Sequence, residues 1–505
     1  MNRNISLRLK SCTSVRFASY NASSKSFQKR KQLETPTADI PYKIGSYASL
    51  KLPEEEKVSG LHRLVGQIDS FAQLKLVPPV RDALIKQIKQ STVLRSQNFI
   101  SSTKKVKTED EMNGLIIRPT PIQVETIKVV NSIRRTNKNE LKVFTLAAET
   151  GSGKTWAYLA PLFHKLKIEE LESGTRMEKS QIRSVVLVPT HELVYQVSEV
   201  VESVCKDLDL SAYRWDVDSN FKDFIGAYRN KIDVLVTTPA KLMSLEKYDD
   251  VGSLKSLLTG LNFCVVDEAD TLMDKSWIND THAALKNMRS LKDVLFVSAT
   301  IPSEFNKVTK KFFPDSIPIT TPSLHRLPKA IEFRNINASV PPYKGSKIKA
   351  LAQALYAIHS DGTELGYEKR VIVFCNEKKE CMKISHRLET EFGHDVSCIS
   401  SEDAVDVRRS KILPFLRHPQ LLEEGQKQTM KVLVCTDLLA RGLNFSGIRN
   451  VILYDVPKTS VDLVHRAGRT GRMNQGGRVF MIVTNKDNSH VKGLPTVVRY
   501  KRRLA

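Results

Sequence analysis

Short apolar segments of strand length alternate with longer amphipathic segments from about residue 115 onward. Apolar strands separated by helical lengths are typical of parallel sheets buried on both faces. The series pauses near residues 314–328, where prolines cluster. The pattern therefore predicts an α/β protein with two doubly wound domains joined at this point. The predicted strands are Val143–Ala148, Ser184–Val188, Ile232–Thr237, Phe263–Val266, Val294–Val297, Arg370–Phe374, Val432–Cys435, Asn450–Leu453 and Val479–Val483.

The N-terminal part of the chain has a different character. Residues 1–33 contain eight basic residues, seven serines and no acidic residue. This composition is typical of a mitochondrial transit peptide. The alternative is a disordered basic arm that binds RNA or directs nuclear entry. Residues 34–113 are interpreted as an N-terminal extension, with a helical pattern from Phe71 through Ile88 and a polar, basic insertion around residues 91–113.

Composition and charge narrow the class of protein. The chain has 505 residues, and its 41% hydrophobic and 26% charged residues are typical of globular domains. Seven cysteines without a CxxC pair, among them Cys264, Cys375 and Cys435 in apolar runs, indicate buried reduced thiols. The net charge is +23, and we find no uncharged apolar stretch of the roughly 18 residues that a membrane span needs. A nucleic acid is therefore the expected partner.

These patterns divide the chain into five parts. The basic excess is concentrated at the ends, since residues 488–505 carry five basic residues and no acidic one. The predicted parts are a transit peptide (1–33), an N-terminal extension (34–113), a first domain (114–322), a second domain (329–487) and a basic tail (488–505).

A glycine-rich segment follows the first predicted strand and precedes an amphipathic helix that begins near Trp156. In this setting, glycines let backbone N–H groups converge on nucleotide phosphates, while a lysine neutralises phosphate oxygens and a threonine holds Mg²⁺. Alanine replaces the glycine that usually begins such a pattern. The predicted phosphate-binding residues are Ala148, Glu149, Thr150, Gly151, Ser152, Gly153, Lys154 and Thr155.

Three acidic residues, Asp267, Glu268 and Asp270, follow the strand Phe263–Val266, with Ala269 between the last two. A carboxylate at the tip of a buried strand is suited to hold Mg²⁺ beside a phosphate-binding loop, and a second carboxylate can orient the attacking water. We assign the metal role to Asp267 and the general-base role to Glu268. The alternative is an acidic strand-to-helix turn in which Asp270 caps a helix.

These motifs, in this order, resemble the DEAD-box ATP-dependent RNA helicases over about residues 71 to 485. The resemblance implies two tandem RecA-like domains that clamp RNA and ATP between them, with ATP and Mg²⁺ as cofactors. Gln123 resembles the family's adenine-reading glutamine, and Phe71 its upstream aromatic that stacks on the base. Ser298 and Thr300 resemble the motif whose hydroxyls bond the acidic motif. Together with Asp270, they are implied to couple hydrolysis to domain closure.

The motifs that imply RNA contacts are present in altered form. His191 and Lys241 stand where the family usually has arginine, and Val405 replaces a glutamine. The family usually has a glycine pair between the segments that here are Pro189–Leu193 and Thr237–Lys241. This pair is not visible in residues 213–228. The segment Thr436–Asn444 resembles motif V. The implied RNA-binding residues are Pro189, Thr190, His191, Thr238, Pro239, Lys241, Arg408 and Thr436.

The segment His465–Arg472 reproduces motif VI in full. Arginine is suited to this place because its fixed, always charged fork can meet a phosphoryl group in the transition state. The resemblance implies Arg469 and Arg472 as arginine fingers and His465 as a link to the acidic motif. It also implies that Asn444, where the family usually has aspartate, lies near the ATP ribose. The implied catalytic residues are Lys154, Glu268, His465, Arg469 and Arg472, and Asp455 is a further coupling residue.

The chain also resembles the fungal mitochondrial members of this family. That resemblance implies a monomeric enzyme of the mitochondrial matrix that couples ATP hydrolysis to RNA clamping and to local unwinding or ribonucleoprotein remodelling. Large ribosomal subunit assembly is the expected role, with mitochondrial large-subunit ribosomal RNA and pre-ribosomal particles as partners, and splicing and RNA turnover are alternatives.

Two other classes of function stay open. One is an ATP-timed RNA clamp that unwinds little. The other is a DNA helicase of a related group, against which Gln123 and the Asp-Glu-Ala-Asp sequence argue.

Overall fold

The computed structural model describes residues 67–96, 116–137, 140–173, 181–248, 253–321, 324, 326–364, 366–400, 402–417, 419–423, 425–437, 442–472, 476–501 and 504. The predicted transit peptide lies outside these residues, and so does the predicted insertion from residue 97 onward. Within the described part of the chain, no helix is both long and apolar enough to cross a membrane.

The first domain is built on a seven-stranded sheet in the order β3-β4-β2-β5-β6-β1-β7, and its strand pairs are parallel. Successive residues of a strand pack on opposite faces: in β1, Phe144 and Leu146 join one apolar core, while Val143 and Ala147 join the other. The strands are β1 Lys142–Ala147, β2 Ile182–Leu187, β3 Ala212–Trp215, β4 Ile232–Thr237, β5 Phe263–Asp267, β6 Asp293–Ser298 and β7 Ile317–Thr320.

Helices cover both faces of this sheet. Two of them begin at threonine caps at the carboxyl ends of adjacent strands: Thr190 Oγ1 accepts from Leu193 N (3.3 Å), and Thr238 Oγ1 accepts from Lys241 N (3.2 Å). The helices are α1 Pro78–Ser96, α2 Pro121–Ser132, α3 Lys154–Ser173, α4 His191–Leu208, α5 Phe221–Asn230, α6 Pro239–Met243, α7 Leu254–Leu257, α8 Ala269–Leu272, α9 Ile278–Asn287 and α10 Ser303–Phe312, with 3₁₀ turns at Phe71–Gln73 and Ser244–Lys247.

The second domain has a six-stranded parallel sheet in the order β10-β11-β9-β12-β13-β8. Its strands are β8 Ile331–Asn337, β9 Lys369–Phe374, β10 Asp395–Cys398, β11 Met430–Cys435, β12 Asn450–Leu453 and β13 Gly477–Val483. Its helices are α11 Lys347–Ser360, α12 Lys378–Thr390, α13 Val405–Leu416, α14 Ser460–Ala467 and α15 Ser489–Arg499. The predicted fold class, two tandem parallel-sheet α/β domains, is confirmed.

The structure corrects three details of the sequence prediction. The proline-rich pause near residues 314–328 contains β7, which tolerates Pro318 because, among the described residues, one side of this strand has no ladder partner. The helical pattern from Phe71 through Ile88 is a 3₁₀ turn followed by a separate helix that begins at Pro78. Part of the basic tail is helix α15, whose Val491 is buried in the second domain.

Candidate ATP and RNA site

The phosphate-binding segment joins β1 to α3 at the carboxyl edge of the first sheet. Gly151 and Gly153 have φ of +78° and +90°, a region that favours glycine. A Cβ on Gly153 would lie 2.5 Å from Gln123 Nε2, so a side chain there would collide with the predicted adenine-reading amide. Lys154 Nζ donates to the carbonyls of Ala148 (3.0 Å) and Glu149 (3.1 Å). The loop backbone therefore surrounds the Lys154 ammonium group.

The two residues implied to bind adenine lie beside this loop in different environments. Gln123 is buried, its Oε1 accepts from Thr120 N (2.9 Å), and its Nε2 donates to Gly153 O (3.3 Å). Phe71 belongs to the apolar core of the first domain and is only 1% exposed. Gln123 therefore contacts the phosphate-binding loop directly, whereas the Phe71 ring would have to be uncovered before it could stack on a base.

Asp267 ends β5, and Glu268 follows it with φ of +50°. Burial and the neighbouring Glu268 charge raise the pKa of Asp267 to about 7. Burial also lowers the pKa of Lys154, which the two carboxylates partly offset. Tyr158 OH donates to Asp267 Oδ2 at 3.1 Å. Sequence reasoning missed Tyr158, although its position one turn after Thr155 on α3 was a usable signal.

The third acidic residue of the motif connects the two domains. Asp270 Oδ2 accepts from Thr300 Oγ1 at 2.5 Å and lies 2.9 Å from His465 Nε2 of the second domain. Ser298 Oγ accepts from Thr300 N (3.1 Å). Asp270 lies inside the first turn of α8, whose N-cap is Glu268, so the alternative of a helix-capping Asp270 is wrong.

The two arginines of the second domain face the phosphate-binding loop and bond the segment before β12. Arg469 Nη1 donates to Leu443 O at 2.7 Å, and Arg472 Nη1 donates to Asn444 Oδ1 at 2.6 Å. A Cβ on Gly468 would lie 2.0 Å from Thr150 Oγ1. The absence of a side chain at this glycine therefore lets the arginine-bearing segment approach the loop closely.

Several buried polar atoms around this junction have no hydrogen-bond partner within the described chain. They are Glu149 Oε2, Thr150 Oγ1, Ser152 Oγ, Glu268 Oε2 and His465 Nδ1. Leaving such groups unpaired is costly, so they mark a place for a polar ligand. The hydroxyls, the Lys154 cation and the nearby arginines suit a polyphosphate, and the carboxylate and hydroxyl oxygens of Asp267 and Thr155 suit Mg²⁺. The residues present therefore fit both groups.

Family comparisons agree with this geometry. The DEAD/DEAH box helicase model matches residues 120–308, and the helicase conserved C-terminal domain model matches residues 346–474. The chain belongs to the DEAD-box helicase family. As a member it is an ATP-hydrolysing enzyme, and the predicted family and enzyme class are confirmed.

The related helicases include mitochondrial proteins of yeasts. The mitochondrial ATP-dependent RNA helicase MRH4 of Saccharomyces cerevisiae is 42% identical over 92% of this chain and 88% of its own length. MRH4 of Debaryomyces hansenii is 42% identical over 93% of this chain and 90% of its own. The chain is a mitochondrial ATP-dependent RNA helicase of this family, as predicted.

Solved DEAD-box helicases share the fold. Saccharomyces cerevisiae Dbp5 bound to RNA and ADP BeF3 is similar with a TM-score of 0.60 and 21% identity, over 86% of this chain and 93% of that one. Mss116p bound to ssRNA and AMP-PNP has a TM-score of 0.60 and 18% identity, over 83% and 78%. The predicted tandem RecA-like architecture is confirmed.

An ionic network around the buried Arg466 supports motif VI of this helicase. Arg466 donates to both carboxylate oxygens of Asp437 at 2.6 Å and to Asn376 Oδ1 at 2.7 Å. The Asp455 carboxylate accepts hydrogen bonds from Lys347 Nζ (2.5 Å) and from Asn376 N (2.9 Å). Asp455 was expected from sequence, but the roles of Asp437, Arg466 and Asn376 were missed. The motif V residues 438–441 lie outside the described residues.

The residues implied to bind RNA lie at two places. Pro189, Thr190 and His191 follow β2, and Thr238, Pro239 and Lys241 follow the adjacent β4, so both groups share the carboxyl edge of the sheet. Arg408 lies on α13 of the second domain and Thr436 follows β11.

Two of the predicted RNA-binding side chains contact protein carboxylates. His191 Nδ1 hydrogen-bonds Asp216, and Arg408 Nε lies 3.0 Å from Glu192 Oε1 across the domain boundary. Lys241 Nζ lies 4.3 Å from the centroid of the Trp215 ring. The His191 and Arg408 side chains are therefore already paired with protein carboxylates in this structure.

Proposed function

We propose that this helicase hydrolyses ATP at the junction of its two domains and uses domain closure to clamp RNA and separate short duplexes or remodel ribonucleoprotein. The Asp270 carboxylate carries this proposal. It bonds both Thr300 of the first domain and His465 of the second. Because one carboxylate receives both contacts, the position of the acidic motif depends on whether the domains are closed.

The proposed reaction is attack of water on the γ-phosphorus with cleavage of its bond to the β–γ bridging oxygen. Glu268 accepts the proton of that water, and Lys154, Arg469 and Arg472 stabilise the charge on the transferred group. Mg²⁺, held by Thr155 and Asp267, would neutralise phosphate oxygens.

Around the nucleotide, Gln123 contacts adenine in this proposal, and Phe71 stacks on the base once its ring, 1% exposed in the structure, is uncovered. Ala148, Glu149, Thr150, Gly151, Ser152 and Gly153 surround the phosphates, and Asn444 lies near the ribose.

The chemical step and the mechanical step are tested together. We expect single-stranded RNA to stimulate ATP hydrolysis, and a short RNA duplex to separate in an ATP-dependent way. Both rates are measured on the same preparation, with DNA of the same sequence as the control stimulant. Equal stimulation by DNA and RNA would contradict RNA-directed activity.

An ATP-timed clamp that unwinds little is a second candidate. It is favoured by the engagement of His191 with Asp216 and of Arg408 with Glu192, since these RNA-facing groups already have protein partners. Robust RNA-stimulated hydrolysis without strand displacement, together with slow release of RNA in the presence of a non-hydrolysable ATP analogue, would favour the clamp.

The raised pKa of Asp267, about 7, gives Mg²⁺ binding a pH dependence. A protonated carboxyl binds Mg²⁺ poorly, so protons compete with the metal below that pKa. We expect the affinity for Mg²⁺ with an ATP analogue to rise by up to about tenfold per pH unit as the pH approaches 7, and to level off above it. The dissociation constant for Mg²⁺ is measured across this pH range from the fluorescence of a bound ATP analogue.

A parallel series in EDTA is the control. It measures how the affinity for the analogue alone changes with pH when no Mg²⁺ is available. The same pH dependence with and without Mg²⁺ would contradict the metal role of Asp267.

We further propose that the enzyme acts in the mitochondrial matrix as a monomer during large ribosomal subunit assembly, on large-subunit ribosomal RNA within pre-ribosomal particles. The mitochondrial relatives and the basic composition of residues 1–33 support the location. The RNA target is identified by crosslinking RNA to the protein in mitochondria and sequencing it.

The proposed domain limits are 114–322 and 329–487, to which the structure adds two packed flanks: α1 on the first domain and α15, within residues 488–505, on the second. N-terminal sequencing of the imported protein tests whether residues 1–33 are removed.

A further inference from the structure

One face of helix α4 forms a docking surface for the second domain. Glu192, Tyr195 and Gln196 are spaced i, i+3 and i+4, so they lie on the same side of the helix. Glu192 pairs with Arg408 at 3.0 Å, and the Arg409 guanidinium lies 3.8 Å from the centroid of the Tyr195 ring. The same helix begins beside the proposed RNA-binding residues Thr190 and His191, so its docking face connects that surface to the second domain.

Gln196 makes the most specific of these contacts. Its Oε1 accepts from Asn444 N at 2.8 Å, and its Nε2 donates to Asn444 O at 3.3 Å. Both ends of the side-chain amide therefore bond the backbone of one residue. A carboxylate at this position would keep the acceptor but lose the donor.

The segment that Gln196 contacts also bonds both motif VI arginines. Asn444 Oδ1 accepts from Arg472 Nη1 (2.6 Å), and Leu443 O accepts from Arg469 Nη1 (2.7 Å) and Arg472 Nη2 (3.1 Å). The segment has little room to shift, because a Cβ on Gly442 would lie 2.6 Å from the Leu193 side chain of α4. The arginine side chains are therefore anchored to a segment that is itself anchored to α4.

We infer that Gln196 is a positioning residue for ATP hydrolysis, which places Arg472 through Asn444 and so links the start of α4 to the reacting phosphate. This inference rests on the proposed function, because Arg472 is assigned to the phosphoryl group there. Gln196 itself touches neither nucleotide nor RNA in this proposal. Its removal should leave nucleotide binding by the first domain intact and lower the rate of the chemical step.

The inference is tested on the full chain by steady-state ATP hydrolysis. The RNA is single-stranded oligouridine of about 20 nucleotides. We expect Gln196→Ala to lower the RNA-stimulated kcat about 3- to 30-fold, and to change KM for ATP by a smaller factor than kcat. Gln196→Glu should be impaired as well because it lacks the donor. Glu199→Ala, an exposed position on the same helix, is the matched control and should match the wild type.

A double-mutant cycle separates a positioning role from a merely structural one. Arg472→Lys keeps the charge but loses the fork that bonds Leu443 and Asn444. If Gln196 acts through Arg472, Gln196→Ala should have little further effect on kcat in the Arg472→Lys background. An equal loss in both backgrounds, or a normal kcat for folded Gln196→Ala, would overturn the inference.

Thermal unfolding of each variant shows whether it is folded. If the folded double variant is more active than Gln196→Ala alone, the inference that Gln196 acts by placing Arg472 is also overturned. Full activity of Arg472→Lys and Arg472→Ala would instead contradict the proposed function, so the two failures are distinguishable.

Discussion

Replacement of Lys154 by alanine should lower RNA-stimulated ATP hydrolysis by at least about 100-fold, because it removes a preorganised cation from a buried site. Lys154 Nζ already lies within 3.1 Å of two loop carbonyls. These contacts hold the ammonium where phosphate oxygens would approach. Steady-state phosphate release measures the rate of hydrolysis, and a fluorescent ATP analogue measures the affinity for nucleotide. Both the rate and the affinity should fall.

Lys255→Ala is the matched control for this variant. Lys255 is an exposed lysine on the short helix α7 of the same domain. Its replacement removes the same charge from the chain and should leave hydrolysis unchanged. A Lys154→Ala protein that hydrolyses ATP at the wild-type rate would contradict the assignment of the phosphate site.

Replacement of Glu268 by glutamine should lower hydrolysis by about 10²- to 10⁴-fold, the range typical of a lost general base. Glu268 is buried beside Asp267, and within the described chain its Oε2 has no hydrogen-bond partner. Glutamine has nearly the same shape but accepts a proton poorly, so ATP binding should be retained. Single-turnover hydrolysis isolates this step from binding and product release.

Asp274→Asn is the control for the same chemical change at an exposed acid a short distance along the chain. RNA binding in the presence of ATP adds a second readout. If Glu268 is the base, the glutamine variant should retain RNA with ATP for longer than the wild type, because the closed state no longer proceeds to hydrolysis. Near-normal turnover of Glu268→Gln would rule out this residue as the base.

The interior of each sheet was predictable from sequence, whereas the sheet edges were not. In the part of the chain that the structure describes, the predicted strands all lie between the outermost strands, and the four strands that were missed, β3, β7, β8 and β10, are the edges of the two sheets. Interior strands of a parallel sheet are buried on both faces and read as apolar runs. Edge strands have mixed exposure, as in β8, where buried Ile331 and Phe333 alternate with exposed Glu332 and Arg334.

The site was predictable where consecutive residues carry the chemistry, as in the phosphate-binding loop and the acidic motif. It was not predictable where a contact depends on distant parts of the chain. Tyr158 meets Asp267, and Gln196 meets Asn444 after a separation of 248 residues. For the same reason the sequence could suggest RNA contacts for His191 but could not show that the fold brings Asp216 to it.

The docking face of α4 has a consequence for how the enzyme responds to ionic strength. Its contacts are of three chemical kinds: the ion pair of Glu192, the ring–guanidinium stack of Tyr195, and the amide pair of Gln196. Salt screens exposed charges strongly, but the amide pair is uncharged and the Glu192–Arg408 pair is largely shielded from solvent. Affinity for RNA phosphates, by contrast, falls steeply as salt rises. Rising salt should therefore release RNA before it separates the domains, so the two events are distinguishable by salt titration.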